Sequence, residues 1–317
     1  MRRVLLVKTS SLGDVVHNLL VASDIAAAYP GVAIDWVVEE SFAAIPRWHP
    51  QLRRVLPVAM RRWRRAPLSR AVRSEWHSFV ETLRSETYDA VIDTQGLLKS
   101  AWLARQALGT RHGLDWASSR EPLGWLYDRT YSVPWGRHAV MRNRDLAAQA
   151  LGYQPAPAVD YGLRKPLSPG SWQPAGADYA LLMHATSAGR KLWPESRWAE
   201  LGGSLAARGI TVVLPWGSED ELQRSERLAE GIHGAMVPPR LELDPLAAVI
   251  AGARVVIGTD TGLTHLAGAL GVPTVGLYCA TDPAATGLYG CARAVNLGGI
   301  GMPPATAEVL AAIEGLR

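Results

Sequence analysis

Asp260 stands where an apolar run, Val255 to Gly258, gives way to the turn Thr259-Asp260-Thr261-Gly262. Leu263 to Leu270 then reads as a helix stopped by Gly271 and Pro273, and Pro273 to Tyr278 reads as the next strand. Such a turn aims free backbone N–H groups and the positive end of a helix dipole outward, which favours a phosphate. Asp260 would repel that phosphate and would sooner accept hydrogen bonds from hydroxyls attached to it. Phosphate and polyol together suggest a sugar nucleotide. His265, in the first turn of the helix, either reaches the same ligand or packs as an ordinary histidine.

Three further groups carry possible chemistry. Asp14 follows the first strand at a helix start; it either caps that helix or takes a proton from an acceptor hydroxyl. Thr186, Ser187 and Lys191 lie in the loop His184 to Pro194, after another strand. They either hold a diphosphate and stabilise its charge as it leaves, or form a solvated loop. His184 itself reads as a buried histidine rather than a catalyst. Glu219, Asp220 and Glu221 open a helix after Pro215-Trp216-Gly217-Ser218. One of these carboxylates binds a ribose, or all three answer the helix dipole.

The charge of the chain is local. The formal net charge is +4, and Arg61, Arg62, Arg64 and Arg65 supply as much by themselves. Nine arginines and no acidic residue lie between Arg47 and Arg73. Forked guanidiniums there suit carboxylates and phosphates; a solvated basic face is the plain alternative. A nucleic-acid partner is not expected, because the run is one loop with a single tryptophan, Trp63. No Asp-x-Asp pair, phosphate-binding Gly-x-x-x-x-Gly-Lys-Ser/Thr loop or Gly-x-Gly-x-x-Gly turn after the first strand is present. Metal-held sugar diphosphates, simple ATPases and simple dehydrogenases therefore lose ground.

The elements that must position these groups alternate strand and helix. Arg3–Lys8, Ile34–Val38 and Ala90–Asp93 read as strands, with helices over Val15–Ala28, Leu97–Ala107 and His138–Leu151. Prolines 155, 157, 166, 169 and 174 mark a linker. The pattern restarts with strands Tyr179–His184 and Ile210–Leu214, helices Glu195–Ala207 and Glu219–Gly231, and a last helix over Thr306–Leu316. The expected fold class is α/β, with two Rossmann-like domains facing across a cleft, residues 1–168 and 169–317; the last helix is free to pack back on the first domain. A hydrophobic share of 48% fits a globular protein, and no apolar run is long enough to span a membrane. The opening residues are too short for a signal peptide, and Cys279 and Cys291 fit a reducing compartment as unpaired packing residues.

Read in order, these stretches resemble the ADP-heptose:LPS heptosyltransferases, inverting glycosyltransferases of the two-Rossmann GT-B architecture. The resemblance runs over nearly the whole chain. It rests on Val7-Lys8-Thr9-Ser10-Ser11-Leu12-Gly13-Asp14-Val15, Asp35-Trp36-Val37-Val38-Glu39-Glu40, Arg61-Arg62-Trp63-Arg64, and Tyr88 to Asp93 with Gln95-Gly96-Leu97. It continues in His184 to Pro194, Leu214-Pro215-Trp216-Gly217 and Asp260-Thr261-Gly262-Leu263-Thr264-His265. The opening motif and the arginine run are more similar to the enzymes of the first heptose addition than to those of the second.

The resemblance implies transfer of L-glycero-D-manno-heptose from ADP-heptose to the first Kdo of Kdo2-lipid A. Asp14 would be the general base, and Thr186, Ser187 and Lys191 would face the diphosphate. Glu221 would bind the ribose and the backbone near Leu241 the adenine. Asp260 would bind heptose hydroxyls, with Thr261, Gly262 and His265 beside the phosphates. Arg61, Arg62, Arg64, Arg65 and Arg120 would grip the anionic acceptor. Ser187 and Leu241 depart from the family pattern, which has threonine and methionine there. No metal or other cofactor is expected, ADP-heptose being a substrate. The implied setting is a cytoplasmic monomer, peripheral on the inner membrane. Alternatives are another LPS heptosyltransferase step, a sugar-nucleotide epimerase of the same architecture, and a non-catalytic module docked on anionic lipid.

Overall fold

The parallel strand pairings and their crossovers divide the chain into two compact units, Met1–Lys165 and Pro166–Arg317. The structure is a computed structural model that describes residues 1–163, 170, 172–174 and 178–316. The domain boundary expected between residues 168 and 169 lies outside the described residues, as does part of the proline-rich linker.

The first unit has strands β1 (Arg3–Val7), β2 (Ala33–Glu39), β3 (Leu52–Val58), β4 (Thr87–Asp93), β5 (Leu108–Leu114) and β6 (Arg129–Tyr131). They form one parallel sheet in the order β3-β2-β1-β4-β5-β6. Its helices are α1 (Leu12–Ala28), α2 (Ala44–Arg47), α3 (Met60–Trp63), α4 (Arg70–Arg84), α5 (Leu98–Ala104) and α6 (Ala139–Leu151). Val4, Leu5, Leu6 and Val7 are fully buried. Side chains on both faces of β1 are therefore covered, as a parallel sheet wrapped by helices requires.

The second unit runs β7 (Tyr179–Met183), α7 (Glu195–Ala206), β8 (Thr211–Val213), α8 (Glu219–Glu230), α9 (Leu243–Ala251), β9 (Val255–Thr259) and α10 (Gly262–Ala269). It continues with β10 (Thr274–Tyr278), α11 (Pro283–Thr286), β11 (Ala294–Gly298) and α12 (Thr306–Gly315). The sheet order is β11-β10-β9-β7-β8, again parallel. Trp193 and Trp198 meet edge to face at 5.0 Å in its core, and Val309 and Ile313 of α12 join the same core. The last helix thus has its buried face in the second unit. Cys279 and Cys291 are half-buried thiols, and Cys291 Sγ donates to the Tyr289 carbonyl at 3.4 Å.

Several elements lack a clear sequence signal. Strand β3 carries Arg53, Arg54 and Pro57; it forms at the sheet edge, where a proline is tolerated. Its two arginines are structural. Arg53 donates to Asp35 at 2.7 and 3.0 Å and Arg54 at 2.9 Å, while the Tyr88 hydroxyl donates to the same carboxylate at 2.8 Å. Burial alone would raise the Asp35 pKa; the hydrogen bonds from Arg53, Arg54 and Tyr88 outweigh it and bring it down. These two members of the basic stretch are therefore neutralised inside the fold.

Candidate active site

Each sheet reverses its strand order at one point, and Asp14, Lys191 and Asp260 lie at these points, whereas the arginine run follows β3, Glu221 follows β8 and Leu241 precedes α9. In the first unit the reversal falls between β1 and β4, in the second between β7 and β9. Loops leaving the carboxyl ends of such a strand pair diverge, and the gap takes ligands.

At the first point, α1 begins at Leu12, earlier than the sequence indicates, so Asp14 lies inside its first turn. The Ser11 backbone N–H and hydroxyl both donate to Asp14 Oδ2, at 2.8 and 2.7 Å. Capping is thus present, yet the same carboxylate lines a cavity together with Lys8, Gln95, Ser118, Arg120 and Arg142. The capping and cavity-facing readings of Asp14 coexist. Burial would raise the Asp14 pKa; the Lys8 ammonium and the Ser11 hydrogen bonds overcome that, and the net direction is down.

The walls of this cavity are tied together by polar contacts. Lys8, itself buried, donates to the Thr94 carbonyl at 2.9 Å and to Asn143 Oδ1 at 3.4 Å; burial lowers its pKa, with Asp14 and Asp93 opposing. Asp93 accepts from the Gln95 and Gly96 backbone N–H groups at 2.9 and 3.2 Å, shaping the turn after β4. Gly96 sits there at φ +64°, which other residues adopt only with strain. Arg142 donates to the carbonyls of Ser118, Val133 and Pro134, fixing the loop that carries Arg120. Lys99 Nζ donates to Ser10 Oγ at 2.7 Å. Sequence reasoning missed Lys8, Lys99 and Arg142 as neighbours of Asp14. Only Lys8 lay in a motif; the other two come from helices distant in sequence.

The arginine run divides on inspection. Arg62 is held by Glu40 at 3.0 Å and by Glu75 at 2.8 Å. Arg61 lies 4.9 Å over the Phe42 ring, and its backbone N–H donates to Glu39 at 3.1 Å. Arg61, Arg64, Arg65 and Arg120 are exposed.

At the second point, Asp260 follows β9 and Lys191 follows β7. Lys191 Nζ donates to Asp260 Oδ2 at 2.7 Å, as does the Thr281 hydroxyl, and His265 Nε2 lies 3.4 Å from Oδ1. Burial would push the Asp260 carboxyl up; these partners hold it far below the ordinary carboxylate range. Trp193, fully buried just past Lys191, donates to the Pro304 carbonyl at 2.9 Å and pins the turn that presents the lysine. The Thr186 hydroxyl donates to the Asp260 carbonyl at 3.3 Å, and Ser187 is exposed beside it.

Thr261 immediately precedes α10, whose first residue is Gly262, and makes no side-chain capping bond to it. The approach of that helix to β9 is close: a Cβ on Gly258 would stand 2.1 Å from Thr264 Oγ1. Glu221 Oε2 accepts from the Gly217 N–H at 2.7 Å, and Leu241 is half-buried just before α9. His184 is fully buried, with Nε2 2.8 Å from Ser225 Oγ; burial holds its pKa down at about 4, so it stays neutral. Thr281 is the partner of Asp260 that the sequence did not reveal. Among the described residues, no three His, Cys, Asp or Glu side chains are grouped to hold a metal ion, and no helix is long and apolar enough to cross a membrane.

Known proteins are similar to this chain over nearly its whole length. The lipopolysaccharide heptosyltransferase 1 of Pseudomonas aeruginosa is 51% identical over 300 residues, 93% of this chain and 83% of its own length. Its Escherichia coli counterpart is 48% identical over 91% of each chain. The solved structure of E. coli heptosyltransferase WaaC with ADP superposes with a TM-score of 0.88 at 43% identity, covering 99% of this chain and 100% of that one. WaaC has also been solved with ADP-2-deoxy-2-fluoro heptose, with a TM-score of 0.86. The model of glycosyltransferase family 9 (heptosyltransferase) matches residues 76–307. With a family match over most of its length and close relatives over nearly all of it, this chain belongs to glycosyltransferase family 9, the heptosyltransferases.

Proposed function

We propose that this heptosyltransferase moves L-glycero-D-manno-heptose from ADP-heptose to the first Kdo of Kdo2-lipid A, with inversion, in assembly of the LPS inner core. The observation that carries the acceptor is the cavity of the first unit, where Asp14 shares the walls with Lys8, Arg120 and Arg142. Kdo brings a carboxylate beside its hydroxyls. Cations at one wall suit the carboxylate, and Asp14 suits the hydroxyl that must lose its proton.

The chemistry needs one base. The acceptor oxygen attacks the anomeric carbon as ADP departs, and Asp14 takes the acceptor proton. ADP leaves without protonation, so the second carboxylic acid of a glycosidase is not required. Thr186, Ser187, Lys191 and the N–H groups of Thr261 and Gly262 face the diphosphate; Glu221 meets the ribose, and the backbone at Leu241 the adenine. In the free protein Lys191 is paired with Asp260. Donor binding draws the lysine to the leaving phosphate and frees Asp260 for heptose hydroxyls. Lys191 thereby stabilises the charge that grows on ADP in the transition state.

The enzyme works as a monomer, without metal, peripheral on the cytoplasmic face of the inner membrane where its lipid-borne acceptor lies. ADP release is the direct test. The purified protein is expected to form ADP only when ADP-heptose and deacylated Kdo2-lipid A are both present, with or without EDTA. ADP formed without acceptor, or a requirement for metal, would refute this reading.

The free arginines give a second test. Neutralising Arg61 and Arg64 together should raise the acceptor KM roughly tenfold or more, each lost charge-assisted contact being worth about 1.5–3 kcal/mol. Donor affinity should not change. A fall in donor affinity would remove these residues from the acceptor side.

A further inference from the structure

The first unit carries an apolar groove apart from the cavity of Asp14. Trp63, Pro67, Val72, Trp76 and Trp102 line it between α3, α4 and α5. Beside it Leu68 is 86% exposed, Leu98 57% and Trp102 53%. Leu98 and Trp102 are four residues apart on α5 and share one face of that helix. Large apolar side chains grouped at a surface mark a contact site.

The charge around this groove states what kind of surface it meets. Arg61, Arg64, Arg65, Arg70 and Arg73 are exposed; Arg61 lies beside Glu39, to which its backbone N–H donates. Arg64 and Arg73 stand at the apolar lining itself. A nucleic acid would satisfy the arginines and leave Leu68 and Leu98 in water. A bilayer with anionic lipid satisfies both sets: tryptophan and leucine enter the headgroup boundary while arginines meet phosphates.

Helix α5 links this face to the base. Lys99 stands between Leu98 and Trp102 in sequence, and its ammonium reaches Ser10 in the loop that holds Asp14. Outward-facing and inward-facing side chains of one short helix therefore serve the groove and the cavity. A surface held at the groove lies close to the acceptor cavity.

We propose that this face docks on an anionic bilayer, with Leu68, Leu98 and Trp102 in the headgroup region and Arg70 and Arg73 at the lipid phosphates. The proposal rests on the reading that the acceptor is borne by a membrane lipid, and it adds which face meets the membrane.

The test is co-sedimentation of the full chain with phosphatidylcholine vesicles, with and without phosphatidylglycerol, for the parent and for Leu68→Ser with Trp102→Ser. The parent should bind the anionic vesicles and be only partly released by salt. The double variant should bind at least about tenfold more weakly while its kcat/KM on the deacylated acceptor stays at the parent value. Brominated lipid should quench tryptophan fluorescence in the parent and quench it less in Trp102→Phe. Equal vesicle binding by parent and double variant would overturn the apolar insertion. No binding of the parent to anionic vesicles would overturn the docking face altogether. A parent that binds vesicles but does not turn over the deacylated acceptor would support the docking face and count against the acceptor reading instead.

Discussion

Asp14→Asn should turn over roughly 100- to 10,000-fold more slowly than the parent, the range that a positioned general base supplies, with affinity for ADP-heptose unchanged. Asparagine is the informative replacement. Asp14 Oδ2 accepts from Ser11 at the start of α1, and an asparagine oxygen keeps the backbone bond. Alanine would remove the cap as well, at a cost of about 1 kcal/mol, and would mix stability with chemistry. The pH profile separates them further. Lys8 and Ser11 hold the Asp14 pKa below its ordinary value against burial. The parent should therefore keep its base ionised down through the usual carboxylate range, near pH 4, and lose rate only as pH falls below it. Asp14→Asn should lack that acid limb. A carboxylate of depressed pKa is a weak base; it suffices because the acceptor hydroxyl becomes acidic as its bond to the anomeric carbon forms. Near-parental turnover in Asp14→Asn would end the base assignment.

Lys191→Ala should lower kcat/KM by roughly 100- to 1,000-fold, the scale for losing one donor aimed at developing charge. It acts twice. The departing ADP loses its cation, and Asp260 loses the partner at 2.7 Å that holds its largely buried carboxylate. The second loss is a stability effect with a defined sign. The native Asp260 pKa is held below the unfolded value, so its ionisation stabilises the fold at neutral pH. That contribution is complete above the unfolded pKa of about 3.9 and is lost as pH falls through it toward the lower native value. Removing Lys191 moves the native value back up. The melting temperature of Lys191→Ala should therefore lie below the parent's at pH 7, and the gap should close in acid. Parental kinetics in this variant would take Lys191 out of the site.

Residues that sit beside strand ends were legible in the sequence, because an apolar run followed by a small-residue turn announces both strand and site. Asp14, Lys191 and Asp260 all have that signature, and the structure places each at a reversal of strand order. What the sequence hid was reach. Thr281 meets Asp260 from beyond β10, and Arg142 comes from α6 to brace the loop of Arg120. Neither contact follows from local spacing. The arginine run was visible as charge but not as pairing: Arg53 and Arg54 turn inward to Asp35, and Arg62 is held by Glu40 and Glu75. Strands β3, β5, β6 and β11 carried glycine, proline or arginine in place of a continuous apolar run, and only sheet pairing makes them strands.

The two reversals of strand order belong to separate sheets, each with its own core. Every residue assigned to the acceptor comes from one unit, and every residue assigned to the donor from the other. Changes that alter which sugar is delivered need not disturb which sugar receives it. Two substrate preferences can drift under independent selection, so descendants of one such chain can change acceptors along a growing oligosaccharide while keeping the same activated donor.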